Sequence, residues 1–250
     1  MRRTFLIVAI AALAGVAAAA PAQGQDEPMT CLSLVDFTLH PATIVGTPGD
    51  DVLRGTEGPD VIVGLGGNDR ISGLGGDDVI CGDLGKDRID GGVGSDSIVG
   101  DTGESFLLGQ GGGMNVPGGD DTLFGGAGDD AIAGENGADT IRAGGGNDFA
   151  TGQTGADVVA GDGGNDELFG GPADDVLRGG AGDDTLIGNF GSDTLLGGKG
   201  DDLFLGDNPN GAPDPGTLDV CNGQQGTDAA VIGTCEHEGQ MEGDIPFPEG

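Results

Sequence analysis

Nine residues recur along most of this chain. Aligned as G-x-x-G-x-D-x-U-x, with U an apolar residue, the unit begins at 46, 55, 64, 73, 82, 91 and 100 without a slip of phase. Seven residues, "GQGGGMN" (109–115), interrupt it, and further units begin at 116, 125, 134, 143, 152, 161, 170, 179, 188 and 197. Glycine holds the fourth place in every unit but one, where Ala173 stands. Aspartate holds the sixth except at Ser105, and the eighth is Ile or Leu except at Ala150, Val159 and Phe204. Composition alone, with 57 Gly, 9 Phe, no Trp or Tyr and a net charge of −34, describes a disordered chain. Three columns held in phase describe a stacked repeat instead.

The unit divides physically into a turn and a strand. In G-x-x-G-x-D the glycines allow backbone angles denied to residues with a Cβ. In x-U-x, period two sends U to one face and its neighbours to the other. Two units complete one coil with a strand on each side, and stacked coils set parallel strands about 4.8 Å apart. The expected fold is therefore all-β: a parallel β-roll solenoid built from nine-residue Gly/Asp repeats, two repeats per coil, with short terminal caps. A single coil cannot bury its U side chains, so stability comes from stacking.

Stacking has an electrostatic cost. Sixth-place aspartates about 4.8 Å apart repel by roughly 1 kcal/mol per neighbour in water, and by several-fold more at a partly buried edge. A divalent cation between successive turns reverses the sign. Carboxylates and backbone carbonyls form an all-oxygen donor set, which suits a hard ion; calcium accepts such a flexible shell more readily than magnesium.

The units resemble the RTX, or haemolysin-type, calcium-binding nonapeptide repeat over about residues 46–205. The resemblance implies a parallel β-roll with several Ca²⁺ ions held between turns two units apart. Carried over place by place, the metal carboxylates are Asp51, Asp60, Asp69, Asp78, Asp87 and Asp96 in the first block. In the second they are Asp121, Asp130, Asp139, Asp148, Asp157, Asp166, Asp175, Asp184, Asp193 and Asp202. Carbonyl ligands are expected around Gly64–Gly67 and Gly73–Gly76. Ser105 removes a carboxylate, with Glu104 beside it as a partial substitute. Pro59 and Lys86 stand at fifth places, and weak sites are expected there. Other fifth-place acids, such as Asp50, Asp77 and Asp129, suit either a solvated outer face or a ligand role.

The remaining segments are short. Residues 1–22 have two arginines, an apolar run from Phe5 to Ala20 and small residues, the pattern of a secretory signal peptide cut after Ala22; the alternative is an uncleaved anchor. Residues 23–45 are expected to cap the N-terminal end, with Ile44 inward in a starting strand "TIV" (43–45). The blocks 46–108 and 116–205 form the roll, and 109–115 loops out, either dividing two rolls or interrupting one. Residues 206–250 comprise an irregular connector to 220, a degenerate unit "GQQGTDAAV" (223–231) with Asp228 in the acid place, and a tail. Export fits the four cysteines. Cys221 and Cys235 bracket the degenerate unit, and their pairing leaves Cys31 for Cys81, whose ninth place faces outward.

The acidity argues against nucleic acid and against an anionic membrane as partners. No nucleophile–base pairing or zinc-ligand spacing appears, and His40 and His237 lie at opposite ends, so no enzyme is expected. The sequence therefore suggests a secreted, extracellular calcium-binding protein, structural or buffering. The alternative is an adhesion or matrix module binding a cell surface or polysaccharide through the roll's outer face. An ice-binding face is disfavoured, because the seventh-place column mixes Val, Arg, Thr, Phe and Glu instead of presenting a flat threonine row.

Overall fold

Eighth-place side chains point inward from both sides of the coil, and in the computed structural model they form one continuous file. The structure describes residues 30–36, 38–101, 119–207, 219–230 and 237–238. A hairpin of β1 (Thr30–Leu32) and β2 (Leu39–Pro41) precedes the roll. One ten-stranded sheet holds β3 (Ile44–Val45), β5 (Val61–Val63), β7 (Val79–Cys81), β9 (Ser97–Val99), β11 (Ala131–Asn136), β13 (Phe149–Thr154), β15 (Glu167–Pro172), β17 (Thr185–Phe190), β19 (Leu203–Asp207) and β21 (Ala229–Ala230). The other holds β4 (Val52–Arg54), β6 (Arg70–Gly75), β8 (Arg88–Val93), β10 (Thr122–Ala127), β12 (Thr140–Gly145), β14 (Val158–Gly163), β16 (Val176–Ala181), β18 (Thr194–Lys199), β20 (Val220–Gln225) and β22 (His237–Glu238). The odd and even sheets are parallel throughout, as expected for a β-roll, and the described residues include no helix.

The file between the sheets runs through Ile62, Ile71, Ile80, Ile89, Ile98, Leu123, Ile132 and Ile141, then Ala150, Val159, Leu168, Leu177, Leu186, Leu195 and Phe204. All of these are eighth-place residues, and Ile44 and Leu53 extend the file at its N-terminal end. Each buried Ile or Leu contributes roughly 1.5–3 kcal/mol, and each coil supplies only two.

The division of the unit differs from the expected six-residue turn and three-residue strand. Most strands are six residues long and continue through the first three places of the next unit. Between β10 and β12 the pairs are Thr122↔Thr140, Leu123↔Ile141 and Phe124↔Arg142, then Gly126↔Gly144 and Ala127↔Gly145. The skipped first place is the corner. Positive φ falls on the fourth place, as at Gly67 (112°), and on the second, as at Leu65 (81°) and Glu135 (79°). Gly67 also lies hard against the backbone of Gly49 and Asp50, so a Cβ there would clash. Ala173 is the fourth-place exception and sits at φ 101°, a conformation unfavourable for a residue with a Cβ.

Two insertions enter at turns and leave the sheets continuous. Successive rungs are normally 18 residues apart, yet β8 pairs directly with β10 and β9 with β11 at an offset of 34. The unit expected at 100–108 is thus not a rung between them. Gly100 and Asp101 open a turn that closes on Gly119 and Asp121, so the extra chain amounts to sixteen residues rather than seven. This corrects the expected block boundary at 109–115 and leaves one roll. Ser105, Glu104 and 109–115 lie outside the described residues. The second insertion separates β18 from β20 at an offset of 26 and puts Cys221 in the eighth-place file, fully buried. The end of the expected connector is therefore a rung. Loop length at a turn corner costs little closure entropy, because neither ladder is broken.

The N-terminal segment covers a flank rather than the end. Cys31 and Cys81 form the expected disulfide, and with Val63 and Val99 they make a second apolar cluster on the outer face of the odd sheet, joined by Leu34 and Ala42. The Leu34 N–H donates to Ser97 Oγ at 2.7 Å. Cys221 is also disulfide-bonded; its expected partner Cys235 lies outside the described residues, as do residues 1–22.

Truncating the file in its middle leaves a cavity that parallel ladders on both sides resist closing. Ile132→Ala is expected to cost about 2–5 kcal/mol in urea unfolding at saturating calcium. Ile44→Ala, at the half-exposed end, should cost clearly less.

Candidate metal centres

The sixth-place aspartates occupy two columns, one at each edge of the roll. Turns from odd to even strands carry Asp51, Asp69, Asp87, Asp121, Asp139, Asp157, Asp175, Asp193 and Asp219. Turns from even to odd strands carry Asp60, Asp78, Asp96, Asp130, Asp148, Asp166, Asp184, Asp202 and Asp228. From Asp60 onward all of these are buried. The structure thus separates the sixteen sequence-derived candidates into two files.

The two carboxylate oxygens have different tasks. Oδ1 accepts the backbone N–H of the sixth-place aspartate one coil earlier. Asp51 N donates to Asp69 Oδ1 at 2.8 Å, Asp69 N to Asp87 Oδ1 at 2.8 Å and Asp87 N to Asp121 Oδ1 at 2.7 Å. The other column repeats this from Asp60 N to Asp78 Oδ1 and from Asp78 N to Asp96 Oδ1. Oδ2 is buried without a hydrogen-bond donor in Asp69, Asp78, Asp87, Asp96, Asp121, Asp130, Asp139, Asp148, Asp157, Asp166, Asp175, Asp184 and Asp202. Buried anionic oxygens without partners are costly, and their regular recurrence makes them candidate ligand atoms.

The first-place glycine shows where those candidate atoms lie. A methyl group built on Gly73 would stand against Asp78 Oδ2 and 2.5 Å from the carbonyl oxygen of Gly91. The same pair of oxygens, one from the turn's own aspartate and one from the first-place carbonyl a coil later, surrounds Gly64, Gly82 and Gly91. Among the described residues no three Asp, Glu, His or Cys side chains converge on one point. A cation there would be held by a carboxylate and backbone carbonyls, an all-oxygen set that fits calcium.

Asp51 and Asp60 differ from the rest. The N–H and hydroxyl of Thr47 both donate to Asp51 Oδ2, and those of Thr56 both donate to Asp60 Oδ2. Threonine at these two second places supplies donors where the stack begins, so these aspartates are not orphaned. Asp219 and Asp228, buried at the far end, were missing from the sequence-derived set. An insertion hides the phase of Asp219, although "DVC" (219–221) repeats the D-x-U pattern with cysteine as U.

Fifth-place residues form a separate, exposed ladder of opposite sense. Asp50 Oδ1 accepts from Asn68 N, Asp129 Oδ1 from Asn147 N and Asp183 Oδ1 from Asp201 N. Short Asp and Asn side chains suit this task. The Lys86 N–H continues this ladder by donating to Asn68 Oδ1, but its side chain offers no acceptor to the next rung and pairs with Asp120 instead.

Burial raises the pKa of these aspartates by disfavouring the charged form, and neighbouring carboxylates add to the shift. Asp78, Asp87, Asp96, Asp148 and Asp202 are pushed up to about 6, Asp130, Asp139 and Asp184 to about 7, Asp175 to about 8 and Asp121 to about 9. Asp69, Asp157 and Asp166 are raised for the same leading reason.

A model of the RTX calcium-binding nonapeptide repeat (4 copies) matches residues 45–80, 76–107, 118–150, 134–168, 142–177, 151–186 and 169–204. Comparison with curated proteins returned no match.

Without metal, the raised folded-state pKa values mean that the roll binds protons more tightly than the unfolded chain does. That stabilisation is complete below the unfolded carboxylate range, near 4, and is lost as pH rises through about 6 to about 9. Circular dichroism in chelator should therefore show more strand at acid pH than at alkaline pH. Calcium affinity should rise over the same window, because protons and cation compete for Oδ2.

Proposed function

The chain belongs to the RTX calcium-binding nonapeptide repeat family, and from that premise we propose that it is an exported calcium-binding protein whose roll forms when ions enter the turns. The role is structural or buffering, extracellular, and involves no catalysis. The observation that carries this reading is the recurring buried Oδ2 without a donor. Before the ion arrives, two files of carboxylates repel across each coil. With it, each turn gains a bridge to the next, so binding free energy becomes folding free energy. The apolar segment 1–22 and the Cys31–Cys81 disulfide support export to an oxidising compartment.

Circular dichroism during a calcium titration at neutral pH tests this. Little strand signal is expected in chelator, a cooperative rise with calcium, and a weak response to magnesium. Full strand content in chelator at neutral pH would defeat the reading.

A second reading, an adhesion module for an anionic polysaccharide or surface, is favoured by one observation. All five described arginines, Arg54, Arg70, Arg88, Arg142 and Arg178, are exposed on even strands, and the odd sheet has none. Arg70 and Arg88 are direct neighbours in register. Arg88 lies over the Phe124 ring, 4.4 Å from its centroid, and Arg142 bridges to Asp162 at 2.9 Å. Binding to a uronate or sulfated polysaccharide at low salt, weakened about tenfold or more by replacing Arg70 and Arg88 with glutamine, would favour it. Equal binding by the variant would remove it.

A further inference from the structure

The two edges of the roll are not equivalent near the first insertion. On the even-to-odd edge the second place of the turn is glycine in three consecutive coils, at Gly92, Gly126 and Gly144. On the odd-to-even edge the corresponding residues are acids: Asp83, Asp101 and Glu135. Each belongs to the same turn as a sixth-place aspartate, Asp87, Asp121 and Asp139 respectively. Three consecutive turns therefore pair a second-place carboxylate with the sixth-place one, whereas the other edge has glycine at the second place.

The middle turn contains two orphaned oxygens. Asp101 is 2% exposed, and its Oδ2 accepts the Gly119 N–H at 2.8 Å, which closes the turn across the insertion. Its Oδ1 is buried with no donor, and so is Asp121 Oδ2. The two carboxylates repel each other, and Asp87 and Asp139 add to the repulsion from the coils on either side. The basic side chain of this stretch, Lys86, is committed to Asp120. A methyl group on Gly100 would stand 2.7 Å from the carbonyl oxygen of Gly134 and also against Asp121 Oδ2. Asp121 Oδ2 and the Gly134 carbonyl thus flank Gly100, and the buried Asp101 carboxylate of the same turn, its Oδ1 unpartnered, is close enough to act on Asp121 by charge.

We infer that Asp101 and Asp121 jointly hold one hard divalent cation, in a site distinct in composition from the single-carboxylate turns and tighter than they are. Two carboxylates neutralise a divalent ion on the spot, and ligand charge is a principal determinant of calcium affinity. The site pins the ends of the insertion to the roll and fills first as calcium rises. The inference rests on the calcium reading above and deepens it at one turn.

Isothermal titration calorimetry of the full chain with calcium chloride tests it. The wild type should show a tight class of about one ion ahead of the others, and Asp101→Asn should abolish that class, weakening the first step about tenfold or more. Asparagine keeps an acceptor for Gly119. Asp162→Asn is the control: Asp162 is a second-place acid on the other edge, exposed and held by Arg142, and both binding classes should survive its replacement. A tight class unchanged in Asp101→Asn overturns the inference while leaving calcium binding intact; absence of any calcium binding overturns both. Should the variant not regain strand signal in excess calcium, wild-type crystals grown with calcium decide. An anomalous peak between Asp101 and Asp121 supports the site, and its absence removes it.

Discussion

Everything in this roll depends on how one carboxylate is shared between neighbouring coils. The sixth-place aspartate accepts a backbone N–H from the coil before it through Oδ1 and holds Oδ2 in a buried position without a donor. The first contact fixes the spacing and direction of stacking. The second is unfavourable on its own and recurs along both edges. A fold with one thin apolar file and glycine at nearly every corner has little surplus with which to absorb that cost. Under the proposed function, the same oxygen that opposes stacking in the absence of a cation is the one that would bridge coils in its presence.

This arrangement accounts for where glycine is required. At the first place a side chain would occupy the space between an aspartate oxygen and the carbonyl of the next coil. At the fourth place the backbone needs positive φ and runs against the coil before it. The second place also takes positive φ in most turns, and at Gly92, Gly126 and Gly144 a Cβ would meet a carbonyl of the coil before, yet other turns hold Leu, Asp, Glu or Gln there, so it is where turns differ. Threonine there supplies the starting coils with donors, as at Thr47 and Thr56, whereas acids there raise the charge of the turn, as at Asp83 and Asp101. The fifth place carries a further ladder on the solvent side, where Asp and Asn serve as short acceptors.

Much of this was legible in the repeat. Period nine, with U at the eighth place, determined the inward file from Leu53 to Phe204, and Cys81 at the ninth place faced outward to meet Cys31. The insertions were harder to read. "GESFLLGQ" (103–110) imitates part of a unit closely enough to hide that the turn opened by Gly100 closes on Asp121. Similarly, a cysteine in the eighth place concealed the rung at Cys221. Local sequence registers residue types, whereas membership of the stack depends on which strand a segment hydrogen-bonds.

The sequence by itself determined the two-unit coil, the faces of its side chains and the chemistry of its acids, because each follows from spacing within nine residues; how far each strand runs past the corner it did not. Only the tertiary structure decided which coils are neighbours. It thereby decided which carboxylate oxygens are answered by a donor and which are buried without one, and that the arginines share one face. Those properties belong to residues 18, 26 or 34 positions apart, and they arise only when the chain stacks upon itself and removes its turns from water.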